Sequence, residues 1–280
     1  MQQFRKTYYP TILQAIHLLI LYLFIQTMVD FPLAMIDYYN DTEYLYHPIK
    51  KILLNTSSTL FILIYGFRKT KAPLLEVFPL KFFNPLVILP LIAFFLGAHN
   101  LLEEINMRVE RVIPAPPWFW ELFSKIFDSD FGWWGAFMKV AVIAPVVEEL
   151  IFRGLILHGL RKNYRATTAV FISALLFSLF HLNPWQMPAT FVLGLLLGWI
   201  MLRTRSILLA IIGHSLNNLL VLLTVTYWQQ INTHAIFLMD KKDTLLLSSF
   251  LVLLSLILIY FLSIWPARKA LKKEKKQQSL

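Results

Sequence analysis

The sequence predicts an all-α polytopic membrane protein with about eight transmembrane helices. Of its 280 residues, 58% are hydrophobic and 15% are charged, and the mean hydropathy is +0.61. A soluble domain of this length has no interior large enough for so much apolar surface. The apolar residues also fall into runs that are each near the length needed to cross roughly 30 Å of hydrocarbon. We therefore expect a single integral membrane domain over residues 1–280.

Eight apolar segments are predicted to cross the membrane, although the second and the sixth are short. In chain order they are 11–29, 52–67, 85–102, 133–157, 167–181, 188–202, 207–228 and 245–265. The first segment is long enough to span and has no small-residue cleavage site after it. We therefore interpret it as a helix and not as a cleavable signal peptide.

The loop charges predict that both termini are cytoplasmic. Basic residues precede the first segment and follow the second, fourth, sixth and eighth, whereas the opposite loops are acidic or balanced. Lys and Arg are enriched in cytoplasmic loops. The net charge of +10 therefore needs no nucleic-acid partner. The chain contains no cysteine, which excludes disulfides, thiolate metal sites and a cysteine nucleophile.

Charged residues inside the fourth segment are the strongest functional signal. Glu148, Glu149 and Arg153 interrupt a run that is otherwise apolar from Val140 to Leu157, and a charge at such depth costs at least about 3 kcal/mol. Glu149 and Arg153 are four residues apart on one helix face, so they are predicted to neutralise one another. Glu148 lies about 100° around the helix. It is free to act as a general base that takes a proton from water.

The same EExxxR pattern occurs a second time, at the end of the third segment. There it is formed by Glu103, Glu104 and Arg108, and the chain continues with Glu110 and Arg111. Because the chain turns polar at this point, we interpret Glu103 as part of a solvated helix end. The pattern is therefore weak alone, and burial must separate its two copies.

Two further segments carry histidines. His181 lies four residues after Phe177 at the end of the fifth segment, and His214 and Asn218 share one face of the seventh. A single membrane histidine is more often a hydrogen-bonding group between packed helices. A Glu, a His, and a His with an Asn on three separate segments indicate instead that they converge on one polar pocket.

The predicted depths of the two histidines conflict with this convergence. By the loop charges, His181 lies roughly 21 Å along the fifth helix and His214 roughly 12 Å along the seventh. The two meet if the fifth helix tilts, if it starts in the cytoplasm, or if the loop at Asn183 and Pro184 dips into the membrane.

Taken in order, these motifs resemble those of the CAAX prenyl endopeptidase and bacteriocin-processing (CPBP, or Abi) family of intramembrane proteases. All of the motifs lie within residues 133–228, as EExxxR at Glu148, Glu149 and Arg153, FxxxH at Phe177 and His181, and HxxxN at His214 and Asn218. The resemblance implies an eight-helix membrane protease with a catalytic water. It implies that the residues around this water are Glu148, His181, His214 and Asn218. Glu149, Arg153 and Phe177 match the motifs but are expected to be structural.

The sequence leaves the need for a metal open. Glu148, His181 and His214 could together hold a divalent metal such as zinc with an open position, although a fourth group would then be needed. A metal-free site would use Glu148 as the base and Asn218 as a neutral donor to the tetrahedral intermediate. We favour the metal-free chemistry. Neither HExxH nor GxSxG occurs in the chain, which excludes a zincin-type protease.

The sequence therefore predicts an intramembrane endopeptidase, multi-pass in the bacterial inner membrane, that cleaves a peptide bond near the membrane surface. The expected partners are membrane lipid and a peptide or lipidated protein substrate. CAAX-type processing and bacteriocin-related peptide processing both remain open. The alternative is a proton-coupled transporter or a non-catalytic membrane scaffold, in which the same buried charges serve as a relay or a helix lock.

Two other features have simpler interpretations. Gly194 and Gly198 in the sixth segment are spaced for close helix packing. The long connection 103–132 contains prolines and then an aromatic, amphipathic stretch. It is interpreted either as a loop with aromatic anchors at the interface or as a surface helix or gate.

Overall fold

The computed structural model describes residues 7–42, 48–81, 83–119, 132–231 and 240–277. Within these ranges the chain is helical and forms no strand, apart from an isolated backbone bridge between Leu80 and Ser206. The predicted all-α class is confirmed.

Within the described ranges, the helices with defined bounds follow one another along the chain in a fixed order. They are α1 (Ile12–Asn40), α2 (Pro48–Thr70), α3 (Leu74–Val77), α4 (Ile88–Val112, after a 3-10 turn at Pro85–Val87), α5 (Gly132–Ala136), α6 (Ala144–Glu149), α7 (Leu157–Asn163), α8 (Ala166–Phe180), α9 (Met187–Thr204), α10 (Ile207–Ile231) and α11 (Lys241–Gln277). Two π-helical stretches, Phe137–Ile143 and Leu150–Ile156, join α5, α6 and α7 into one segmented helix.

Each apolar segment predicted from the sequence falls in a helix, except that Thr11 lies just before α1 and His181 just beyond α8. In the described ranges, five helices are long and apolar enough to cross a membrane: 12–40, 85–112, 187–204, 207–227 and 241–263. Helix α8 has 15 residues, and the segmented helix is divided by its π-helical stretches. The protein is thus a multi-pass membrane protein, while the number of eight spans and the orientation of the termini stay predictions.

Helix α4 corrects one expectation from the sequence. It continues to Val112, so Glu103 and Glu104 lie inside it and not at a solvated end. Glu, Arg and Met are good helix formers. In addition, an ion pair between Glu104 and Arg108, four residues apart, supports the extra turns. The helix therefore extends beyond the apolar run from which it was predicted.

Helices α4 and α9 are the most buried of the five long apolar helices. Their apolar windows are 39% and 44% buried, compared with 17% for both α1 and α11. On α9, a Cβ atom built on Gly194 would lie 2.9 Å from the Cα and Cβ of Ala174, and one built on Gly198 would lie 2.9 Å from Val170. The predicted packing role of both glycines is confirmed, and it holds α8 tightly against α9.

Pro145 explains the first π-helical stretch. Proline has no N–H to donate, and in a regular α-helix its ring clashes with the carbonyl four residues earlier. Here the turn before it is wider, and the N–H of Ala144 donates to the carbonyl of Lys139, five residues back. π-Helical turns often occur at functional sites. In this chain they flank the short helix that carries Glu148 and Glu149.

Candidate active site

Two histidines from separate parts of the chain lie close to Glu148, which is in the last turn of α6. Its Oε2 atom is 4.0 Å from Nε2 of His181, which follows α8, and 3.8 Å from Nε2 of His214 in α10. This oxygen is buried and has no hydrogen-bond partner in the described part of the chain. The structure therefore brings together the three residues that the motifs singled out, and their catalytic roles stay predictions.

Both imidazole rings are fixed through their Nδ1 atoms. Nδ1 of His181 lies 2.8 Å from the carbonyl oxygen of Phe177, and Nδ1 of His214 lies 2.9 Å from Oε1 of Glu149. Carbonyl and carboxylate oxygens only accept hydrogen bonds, so each Nδ1 carries a proton. In the neutral tautomer, both Nε2 atoms then present lone pairs toward Glu148.

Glu149 forms the predicted ion pair with Arg153. Nη1 of Arg153 donates to Oε1 of Glu149 at 2.8 Å, and both side chains are buried. Nη2 of the same guanidinium donates to the carbonyl of Gly194 at 3.2 Å. Because Oε1 of Glu149 also accepts from His214, this carboxylate orients one of the two site histidines. Sequence reasoning missed that role, since nothing in the spacing of residues 149 and 214 links them.

Phe177 lies against three polar groups of the site. Its ring centroid is 4.8 Å from the ring of His181 and 5.6 Å from the ring of His214, both in edge contacts. The guanidinium carbon of Arg153 lies 4.5 Å from the same centroid, a distance at which the cation is attracted to the ring. The buried ring thus packs against both histidines and the arginine, and it fixes their relative positions.

Asn218 is placed differently from the other predicted residues. Its Nδ2 donates to the carbonyl of Val140 at 2.9 Å, and its Oδ1 accepts from Asn217 at 3.1 Å. Neither bond involves Glu148 or a histidine. The side chain fastens α10 to the first π-helical stretch, and one N–H of its amide is left over for another acceptor.

The structure brings His181 to within 4.0 Å of Glu148 in spite of the conflict in predicted depth. A helix of 15 residues is roughly 22 Å long, less than the roughly 30 Å of the hydrocarbon core. The chain then turns back, with Leu182 at φ 51°. Oδ1 of Asn183 accepts from the backbone N–H groups of Trp185 and Gln186. Whether the helix tilts, starts in the cytoplasm or is followed by a loop that dips into the membrane stays a prediction.

The connection after α4 covers this loop. Nε1 of Trp185 donates to the carbonyl of Ile113 at 2.7 Å, and the ring of Phe119 lies 4.3 Å from that of Trp185. The rest of the aromatic stretch, 120–131, lies outside the described residues. The alternatives of an anchored loop and a surface helix or gate therefore stay open.

The spacing of the site accommodates a bridging water molecule. Two ligand atoms of a tetrahedral zinc ion lie roughly 3.4 Å apart, whereas Oε2 of Glu148 is 4.0 and 3.8 Å from the two Nε2 atoms. Across the described ranges, no group of three or more His, Asp or Glu side chains is arranged to hold a metal. A water that makes hydrogen bonds of about 2.8 Å can bridge atoms with these separations.

Helical spans and a buried carboxylate–histidine cluster together define a class of polytopic membrane protein with an internal polar site. Residues 130–220 match the family model described as type II CAAX prenyl endopeptidase Rce1-like. This confirms the resemblance to the CPBP family over that range, which contains all three motifs and excludes the second EExxxR copy. The match indicates a protease of the CAAX endopeptidase kind. No curated protein and no solved structure matches the chain.

Proposed function

We propose that this protein is an intramembrane endopeptidase that hydrolyses a peptide bond near the membrane surface with a water activated by Glu148. One observation carries the proposal. A buried carboxylate oxygen without a hydrogen-bond partner faces the Nε2 atoms of two histidines at about 4 Å. The family match over residues 130–220 supports peptide hydrolysis over other uses of buried charge.

The first step is proton abstraction from water. A water held between Glu148 and His181 donates one hydrogen to Oε2 of the glutamate, which suits a general base within hydrogen-bond reach. The water oxygen adds to the substrate carbonyl, and its proton moves to Glu148. The tetrahedral intermediate then collapses, and its C–N bond breaks as the same carboxyl delivers this proton to the leaving amine. The enzyme thus gains and loses no net proton.

The charges of the cluster support a role for His214 as a protonated hydrogen-bond donor. Arg153 balances one of the two carboxylates, and a buried cluster with an unbalanced charge is strongly disfavoured. A protonated His214 would balance the other, because its Nδ1 bonds to Glu149 and its Nε2 faces Glu148. In that state it donates at both nitrogens. His214 would then stabilise the oxyanion of the tetrahedral intermediate.

Asn218 and Glu149 assist in different ways. The free N–H of the Asn218 amide would add a neutral donor for the oxyanion, once substrate lies beside the first π-helical stretch. Glu149 acts through His214, as a positioning residue that sets the ring orientation and the tautomer. Neither is proposed to contact the attacking water.

The proposed substrate is a peptide or a lipidated protein presented by the membrane. CAAX-type processing follows from the description of the matched family, and bacteriocin-related peptide processing is the second candidate class. The proposed location is the bacterial inner membrane, with membrane lipid as the surrounding partner.

The test uses the purified full chain in lipid nanodiscs. A peptide with a fluorophore, a quencher and a prenylated C-terminal CAAX sequence is compared with the same peptide without the lipid, and the products are identified by mass spectrometry. We expect the wild type to cleave one peptide bond and Glu148→Gln to leave it intact. The proposal is rejected if the monodisperse wild type cleaves neither peptide, or if Glu148→Gln cleaves as fast as the wild type.

A further inference from the structure

A cavity of about 550 Å³ lies on the side of the molecule that carries the basic loops. Its walls come from α3, from residues 79–81, from the second π-helical stretch, from α7 and from the end of α9 with Arg205. The 79–81 segment is fixed by its backbone. Leu80 forms the bridge with Ser206, and the carbonyl of Pro79 accepts from the N–H of Ile207 at 2.9 Å. The cavity is therefore formed by segments already held in place.

The charged residues that line this cavity are mostly basic. They are Lys81, Arg153, Arg161, Lys162, Arg205 and one acidic residue, Glu76. Glu76 is paired with Lys162 at 2.5 Å, and the hydrogen bond from this lysine lowers the pKa of the Glu76 carboxyl. Within the described residues, Lys81, Arg161 and Arg205 form no ion pair. Three unbalanced cations around one cavity repel each other unless an anion lies between them.

Arg153 provides an independent indication of a ligand. It is 1% exposed, it lines the cavity, and its Nε has no hydrogen-bond partner, although Nη1 and Nη2 are both bonded. A buried N–H without an acceptor costs about 1–3 kcal/mol. Because the atom is buried, the guanidinium would first turn toward the cavity, and an anionic oxygen there would then supply that acceptor.

Apolar side chains beside the cations indicate which kind of anion fits. Leu74, Leu75 and Leu80 are 57%, 66% and 61% exposed, and Leu75 lines the cavity itself. Basic pockets between transmembrane helices on the cytoplasmic side commonly hold anionic lipid headgroups. The loops around this cavity are those whose charge predicts the cytoplasmic side.

We propose that this cavity binds a phosphate group, carried either by the headgroup of an anionic glycerophospholipid or by a free phosphate. One phosphate oxygen would accept from Nε of Arg153, and the others would face Arg161 and Arg205. Because Arg153 also holds Glu149, which holds His214, the ligand would lie one ion pair away from the candidate active site. Binding does not depend on the proposed protease activity.

The test compares two double variants of the full chain. Arg161→Gln with Arg205→Gln removes two exposed cations of the cavity. The matched control, Arg68→Gln with Lys71→Gln, removes two exposed cations from the end of α2 that do not line it. The control also matches the backbone, because Arg205 and Lys71 both have positive φ angles of 51° and 52°. Retention of phosphatidylglycerol against phosphatidylcholine is measured by native mass spectrometry, and protection by inorganic phosphate is measured by thermal shift.

We expect the cavity variant to bind phosphatidylglycerol about thirty-fold more weakly than the wild type, at about 1 kcal/mol for each cation lost, and the control variant to bind as the wild type does. A second outcome would support the site with free phosphate as its source. In it, inorganic phosphate protects the wild type but not the cavity variant, and the wild type does not prefer phosphatidylglycerol. Lys81→Gln serves as a third variant if the first does not purify. The proposal is overturned if the wild type and the cavity variant bind phosphatidylglycerol and inorganic phosphate equally well. It is also overturned if the cavity variant and the control variant lose the same amount of binding.

Discussion

The two EExxxR copies in this chain form the same local contact and yet have different surroundings. In each, the second glutamate pairs with the arginine four residues on, at 2.8 Å for Glu149 and Arg153 and at 3.0 Å for Glu104 and Arg108. In each, that glutamate also reaches another helix. Glu149 accepts from His214, whereas Glu104 pairs with Lys241 at 2.6 Å.

The difference lies in what the cations and the first glutamates face. The Arg108 side chain is 70% exposed and that of Lys241 is 57% exposed, whereas Arg153 and His214 are 1% and 2% exposed. Glu148 faces two imidazoles, and no hydrogen bond or ion pair is seen for Glu103 in the described structure. Spacing therefore determines the ion pair, and the surrounding helices determine whether it adjoins a carboxylate–histidine cluster. The paired substitutions below test this comparison.

The largest difference is expected between Glu148→Gln and Glu103→Gln. Each change replaces a carboxylate by an amide of the same shape. The first removes the proposed base, so cleavage should fall by between about 10²- and 10⁴-fold, while the second should stay within about twofold of the wild type. Turnover of the quenched peptide is the measurement, with size-exclusion profiles to show that both variants are folded. Similar losses in both variants would mean that burial does not separate the copies.

The next difference concerns stability, in Arg153→Gln and Arg108→Gln. Without Arg153, the buried carboxylate of Glu149 loses its cation, which costs about 3–5 kcal/mol. Arg108 is exposed and its loss should cost less than about 1 kcal/mol. Thermal unfolding of the two proteins in the same nanodiscs checks this. An Arg153→Gln protein with wild-type yield and melting temperature would contradict the buried-pair argument.

A smaller effect is expected from Glu149→Gln compared with Glu104→Gln. The amide at 149 can still accept from His214, but it carries no charge to orient and stabilise a protonated ring. Loss of such a supporting group typically costs about 10- to 100-fold, and here we expect the loss in kcat with KM little changed. Glu104→Gln should leave both constants unaltered. The positioning role would be wrong if Glu149→Gln lowered only stability and kept the pH profile and kcat of the wild type.

Part of this architecture could be predicted from local spacing. Hydropathy located the helices, the i,i+4 rule predicted the pairing of Glu149 with Arg153, and the motifs predicted that Glu148, His181 and His214 come together. Each prediction uses information from neighbouring residues or from a family pattern. The end of an apolar run does not predict the end of a helix. Helix α4 continues to Val112 because the charged residues after its apolar run are good helix formers.

Contacts between distant residues could not be predicted in this way. The bond from His214 to Glu149 and that from Asn218 to Val140 depend on how α10 packs against the segmented helix. That packing depends on the two π-helical stretches, of which Pro145 explains only the first. We have no physical account from sequence for the second, at 150–156.

The single ring of Phe177 has a dynamic consequence. His181, His214 and Arg153 all contact the same buried side chain. Because close-packed interiors have low compressibility, a movement of one of these groups also moves the ring. The fluctuations of these three groups should therefore be correlated through the ring. Because His214 is also bonded to Glu149, which is next to Glu148, the distance of His214 from Glu148 should vary less over time than the distance of His181 from Glu148.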